Sequence, residues 1–124
     1  MKKLNTNEII CTDCLEGCRV LDDEVVDLIY LDPPFFSQKE HRLFARDREL
    51  EFTFSDTWDS LDNYVNYMKE RLAEFHRVLS PVGSLFYHCD RRTSHIARRI
   101  LDSIFGEKNF RAEIIWYYKR WSNS

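Results

Sequence analysis

The chain has 124 residues, 44% hydrophobic and 31% charged: one domain of ordinary globular composition with enough apolar side chains for a core. No apolar run approaches the roughly 18 residues of a membrane span, and Met1-Lys2-Lys3-Leu4-Asn5 lacks the apolar stretch of a secretory leader, so four reduced cysteines, a cytoplasmic location and no membrane partner are expected. The net charge of −3 conceals an asymmetry: residues 1–90 carry ten Lys or Arg against 18 Asp or Glu, whereas residues 91–124 carry eight against three.

Glu8-Ile9-Ile10-Cys11-Thr12 reads as a short strand ending at Asp13, followed by a helical turn from Leu15 to Leu21. Val25-Val26-Asp27-Leu28-Ile29-Tyr30-Leu31 does not alternate, which predicts a buried parallel strand. Asp32-Pro33-Pro34-Phe35 ends it, since neither proline donates to a ladder. Residues 36–58 are polar with little periodicity and are expected to form a long substrate-contacting loop. Leu61, Tyr64/Val65, Met68, Leu72, Phe75 and Leu79 recur at helical spacing behind Ser60, a plausible N-cap, and Ser80-Pro81-Val82-Gly83 stops the helix. Residues 84–89 form the next strand, ending at Asp90. A helix runs from about Thr93 with Ile96, Ala97, Ile100, Leu101, Ile104 and Phe105 on one face and Gly106 at its C′ position. Residues 110–118 close the chain as a strand. This alternation of strands and helices predicts an α/β parallel sheet with right-handed crossovers.

The carboxyl end of a central strand is where open α/β sheets bind ligands, and Asp32 is held there in extended backbone by the proline after it. The tetrapeptide supplies the parts for one chemistry. An exocyclic amino group on a nucleobase is a poor nucleophile because its lone pair is delocalised into the ring. Two acceptors that take both N–H groups pull the nitrogen towards a tetrahedral shape. Asp32 offers a carboxylate and Pro33 a rigidly directed carbonyl. Phe35 offers a face on which a flipped base stacks, worth about 1–3 kcal/mol. The competing reading is a strand followed by a proline turn with a solvated Asp.

With this motif the sequence resembles the amino-methyltransferases of DNA. Ile10-Cys11-Thr12-Asp13-Cys14-Leu15, Phe54-Ser55-Asp56-Thr57-Trp58, Arg77-Val78-Leu79-Ser80-Pro81-Val82-Gly83-Ser84, His88-Cys89-Asp90 and Glu113-Ile114-Ile115-Trp116 resemble that family's flanking segments in family order. The order, catalytic motif first, resembles the β-type enzymes used in restriction–modification. The resemblance implies a Rossmann-like methyltransferase fold of which residues 1–124 form the N-terminal portion, a partial catalytic domain. Its target-recognition and Gly-rich cofactor segments are missing: Gly17, Gly83 and Gly106 form no paired motif. It also implies transfer of a methyl group from S-adenosylmethionine to N6 of adenine in double-stranded DNA with the target base flipped. N4 of cytosine, or a non-catalytic DNA- or partner-binding remnant, is the alternative. The isolated chain is expected to be inactive, completed by a second copy or by a C-terminal half.

By the same resemblance Asp32, Pro33, Pro34 and Phe35 are catalytic, and Asp13, Cys14 and Asp32 bind the cofactor. Phe36, Ser37, Trp116, Tyr118, Lys119 and Arg120 contact DNA, with Trp116 and Tyr118 as a second wall for the flipped base. Alternatives stay open: Asp13 caps the helix after it, and Trp116 and Tyr118 are strand-core aromatics. Arg91, Arg92, Arg98, Arg99, Arg111, Lys119 and Arg120, interleaved with Trp116, Tyr117, Tyr118 and Trp121, suit a nucleic-acid face, but the paired arginines at helical spacing equally suit a solvated helix face. Cys11, Cys14 and Cys18, with Cys89, have the composition of a zinc site. However, a strand through Cys11 would point Cys11 and Cys14 to opposite faces, and no metal is expected. His41, His76, His88 and His95 read as surface or packed histidines.

Overall fold

A computed structural model describes residues 7–44 and 51–119. The elements run α1 (Cys14–Arg19), β1 (Val26–Leu31), β2 (Lys39–Phe44), β3 (Glu51–Asp56), α2 (Leu61–Val78), β4 (Leu79–Tyr87), α3 (Ser94–Phe105) and a 3₁₀ turn (Glu107–Asn109). β1 and β4 pair in parallel, with Leu28 opposite Ser84 and Leu31 opposite Tyr87. Val26 lies opposite Leu79, so residues 80–83 bulge out of the ladder. That bulge tolerates Pro81, and the Ser80 hydroxyl is 2.8 Å from an Asp27 carboxylate oxygen beside it.

α2 builds the core. Tyr64, Met68, Leu72, Phe75 and Val78 are buried along one stripe, where Ile100 of α3 joins them. Ile29, Leu31, Leu85 and Tyr87 pack onto this cluster from one face of the sheet, and Leu28, Tyr30 and Phe86 on the other face are exposed. The cap on α2 is the expected one: the Ser60 hydroxyl accepts from the Asn63 N–H at 3.1 Å. Gly106 ends α3 with φ +86°, a conformation that favours glycine. α1 is tied to α2 by two arginines. Arg71, buried, lies 3.4 Å over the Tyr67 ring and donates to Asp13 at 2.6 Å. Arg77 donates to the Leu21 and Cys18 carbonyls at 3.1 and 3.0 Å and pairs with Glu74 and Asp23.

Four expectations are corrected. β1 is half-exposed and not buried: Ile29 and Leu31 face the core, but Leu28 and Tyr30 are exposed, because among the described residues only one face of the β1–β4 pair is covered. Residues 8–12 form no strand, and neither do residues 110–118: Ile9, Ile10, Ile114, Ile115, Trp116, Tyr117 and Tyr118 are all exposed. Both segments have a strand's composition, but a strand exists only with a ladder partner, and among the described residues no strand lies beside either. The parallel sheet there is accordingly β1 and β4 alone. The supposed loop at 36–58 holds an antiparallel pair, β2 with β3, in register from Lys39 opposite Asp56 to Phe44 opposite Glu51. Its strands are exposed on both faces, so no burial alternation announced them; cross-strand pairs such as the stacked rings of His41 and Phe54, 4.8 Å apart, hold it.

Candidate active site

The parallel ladder delivers the motif. The His88 N–H donates to the Leu31 carbonyl at 2.9 Å, carrying the β1–β4 pairing to the last residue before Asp32. The Asp32 side chain is 64% exposed, and one carboxylate oxygen lies 3.2 Å from His88 Nδ1. The His88 ring also meets the Phe35 ring edge-on, centroids 5.3 Å apart. One residue at the end of β4 thus touches both the acceptor and the aromatic of the motif.

The backbone after Asp32 is held from two sides. The Tyr64 hydroxyl of α2 donates to the Pro34 carbonyl at 3.0 Å, and the Tyr87 hydroxyl lies 3.5 Å from it. Burial pushes both phenols up, so both keep their protons at neutral pH. On the other side Asp56, at the end of β3 and 2% exposed, accepts the backbone N–H groups of Phe35 (3.1 Å), Phe36 (3.0 Å) and Ser37 (2.7 Å) and the indole N–H of Trp58 (2.9 Å). Burial alone would raise its carboxyl, but the bonds from Ser37, Trp58 and Phe35 outweigh it and hold the group below the usual carboxylate range. Phe36 and Gln38 have φ of +58° and +56°. For the bulky Phe36 this left-handed conformation costs of order 1–3 kcal/mol, offset by the bonds to Asp56.

Asp32, Pro33, Pro34, Phe35, Phe36 and Ser37 therefore share one ordered loop. Phe36 turns onto Tyr64, with ring centroids 5.5 Å apart, and the Ser37 hydroxyl bonds His41 Nε2 at 2.9 Å. Asp13 caps α1, accepting from the Leu15 N–H at 2.8 Å. The hydrogen bond from Arg71, with that from Leu15, holds its carboxyl below the ordinary value. Arg71 lies seven residues beyond Tyr64, about 10 Å along α2 at 1.5 Å per residue, so Asp13 and the Pro34 turn are two stations on one helix. Cys14, next to Asp13, is exposed. Trp116, Tyr118 and Lys119 lie exposed after α3, outside the strands of the described residues. Arg120 and Trp121 lie outside the described residues. Arg92 pairs with Asp90, and Arg98 pairs with Asp102 while lying over the Phe110 ring. Among the described residues no group of three or more His, Cys, Asp or Glu is arranged to hold a metal, and no helix is long and apolar enough to cross a membrane.

Three residues that hold the site had no such role in the sequence reading. Tyr64 was legible only as core, and His88 and Asp56 only as members of family-like segments, with His88 otherwise a surface or packed histidine. The one local signal at Asp56 was an acidic residue closing the alternation Phe52-x-Phe54 two residues before a tryptophan.

The family model described as DNA methylase, of the N6/N4 type, matches residues 26–124. The type II methyltransferase M.HinfI of Haemophilus influenzae is 32% identical over 93 residues, covering 69% of this chain and 26% of the relative. M.HpaI of Haemophilus parainfluenzae is 27% identical over 110 residues, covering 89% and 31%. M.BamHI of Bacillus amyloliquefaciens is 36% identical over 76 residues, covering 61% and 16%. The chain thus spans a third or less of the length of these curated relatives. With four-fifths of its residues inside the family match and the DPPF loop ordered at the end of a parallel strand, this chain belongs to the N6/N4 DNA methylase family.

Proposed function

We propose that this chain supplies the catalytic segment of an S-adenosylmethionine-dependent methyltransferase acting on N6 of adenine in double-stranded DNA, in a protein that also has the segments its relatives carry beyond the matched part. The observation that carries the reading is the acceptor pair at the end of β1. Asp32 presents an exposed carboxylate there, with the rigidly directed Pro33 carbonyl next to it as the proposed backbone acceptor, and Tyr64 holds the turn through the Pro34 carbonyl. Asp32 takes one N–H of the amino group and Pro33 the other. The nitrogen lone pair is drawn out of conjugation and aimed away from the base plane. Phe35, braced by His88, gives the flipped base a stacking surface. The proton released by the methylated nitrogen leaves along its hydrogen bond to the Asp32 carboxylate.

The residues fit the cofactor in chemistry. Asp13, its side chain 46% exposed, with Cys14 beside it, would hold the nucleoside end, and Asp32 would lie towards the reacting end. When bound, the cofactor supplies an electrophilic methyl group on a sulfonium. Phe36, Ser37, Trp116, Tyr118, Lys119 and Arg120 are the proposed DNA contacts.

The test is incorporation of tritiated methyl from S-adenosylmethionine into duplex DNA, followed by nucleoside digestion. N6-methyladenine is the expected product; N4-methylcytosine would move the assignment to the other base. Asp32→Ala should abolish transfer with the fold intact, and Asp32→Asn should retain more, because an amide oxygen still accepts. Near wild-type rates for Asp32→Ala would remove the assignment.

A further inference from the structure

We propose that Asp56 is a positioning residue for methyl transfer: its buried carboxylate is the template around which the loop from Phe35 to Ser37 folds. This inference rests on the catalytic reading of Asp32 and Phe35 given above.

Three consecutive backbone N–H groups converge on one carboxylate with a left-handed residue among them, the form of a backbone nest for an anion. Here the anion belongs to the protein and reaches the loop from the far end of the hairpin, 19 to 21 residues along the chain. A second tie runs in parallel. The Gln38 N–H donates to the Asp56 carbonyl at 2.9 Å, and the Gln38 side chain both donates to the Trp58 carbonyl and accepts from the Trp58 N–H, at 2.8 and 2.7 Å. The loop contains no glycine to make φ near +58° easy at Phe36, so the conformation depends on what grips it. The Phe35 amide is one of the gripped groups, and the Phe35 ring is the proposed stacking surface. Loss of the carboxylate would let Phe36 relax to negative φ and swing Phe35 away from His88, taking the Pro33–Pro34 segment with it.

The division of bonds makes Asp56→Asn a sharp probe. One carboxylate oxygen accepts from Phe36 and Trp58, the other from Phe35 and Ser37. An asparagine satisfies one pair and turns an NH₂ against the other. In the 124-residue chain, amide exchange should quicken about tenfold or more either at Phe35 and Ser37 or at Phe36, according to which oxygen the NH₂ replaces, while the α2 core amides keep their protection. In the methylating protein, kcat should fall about 10- to 100-fold, the cost of a misplacement near 1 Å, with the KM for S-adenosylmethionine within about twofold of wild type. Trp58→Phe removes one donor, leaves the carboxylate, and should give the same pattern more weakly. Should Asp56→Asn not fold, Trp58→Phe decides. Unchanged exchange and unchanged kcat in the folded variant overturn the proposal, as does fast exchange of all three amides in the wild-type chain. A wild-type protein that transfers no methyl group defeats the catalytic reading instead, and the exchange measurements still judge the loop's dependence on Asp56.

Discussion

Replacing Tyr64 by Phe removes one oxygen atom, and the structure says what that atom does. The ring is 1% exposed and braced by Phe36 and Trp58, with centroids 5.5 and 5.2 Å away, so the phenylalanine ring keeps its packing. Lost is the 3.0 Å bond to the Pro34 carbonyl. A net hydrogen bond is worth about 0.5–1.5 kcal/mol, and a fully buried orphaned carbonyl adds about 1–3 kcal/mol. Pro34 is only half-buried, so water can reach its carbonyl and most of the second cost is avoided. The expected destabilisation is therefore about 1 kcal/mol, or roughly 3–6 °C in Tm for a domain of this size. Tyr87 cannot take over without moving, since its hydroxyl is 3.5 Å from that of Tyr64 and belongs to the opposite strand. Tyr87→Phe removes only that marginal bond and should cost less than Tyr64→Phe. Urea titration of the wild type and both variants, followed by tryptophan fluorescence and far-UV circular dichroism, measures the difference. A Tyr64→Phe chain as stable as wild type, or a Tyr87→Phe chain less stable than it, would refute the claim that the Pro34 turn is pinned from α2.

Phe35→Ala should weaken productive DNA binding by about 1–3 kcal/mol while Phe35→Tyr is tolerated, because the role is a stacking face; 2-aminopurine fluorescence at the target base reports flipping, and an unchanged signal in Phe35→Ala would assign the ring to packing. Asp13 makes the fold acid-sensitive in a defined sense. Its carboxyl is held by Arg71 and Leu15 below the ordinary 3.8, so its contribution is fully present above that value and is lost as pH falls through the lower folded value; Asp13→Asn should flatten that part of the acid unfolding curve, and an unchanged curve would deny the link between α1 and α2. If Arg91, Arg99, Arg111 and Lys119 contact phosphates, Arg92 and Arg98 being already paired with carboxylates, binding of the chain to duplex DNA should fall by about 100-fold between 50 and 200 mM salt, the loss expected for four contacts; fluorescence anisotropy measures the slope, and a flat profile would remove these residues from the interface.

Local rules carried much of this molecule. The existence of β1, the helical spacing of Tyr64, Met68, Leu72 and Phe75, the Ser60 cap and the Gly106 stop all depend on residues within a few positions of one another, and all stand in the structure; the burial of β1 on both faces does not, since that depends on what covers the sheet. The DPPF turn was legible for the same reason: a proline's constraint acts on its immediate neighbours. What remained hidden depends on partners distant in sequence. β2 and β3 are strands because Lys39–Phe44 meets Glu51–Asp56, and neither segment buries a face that would mark it. Residues 8–12 and 110–118 have strand composition, but a strand is completed by a neighbour's hydrogen bonds and not by its own side chains. The site shows the same division most plainly. Asp32 and Phe35 are named by their tetrapeptide, whereas the groups that orient them are His88, Tyr64 and Asp56, brought from β4, α2 and β3. The alternation before Asp56 and the tryptophan after it do not say that its carboxylate will be buried under three backbone amides. Only the tertiary fold, by bringing the end of the hairpin against the turn after β1, makes Asp56 the anchor of that loop.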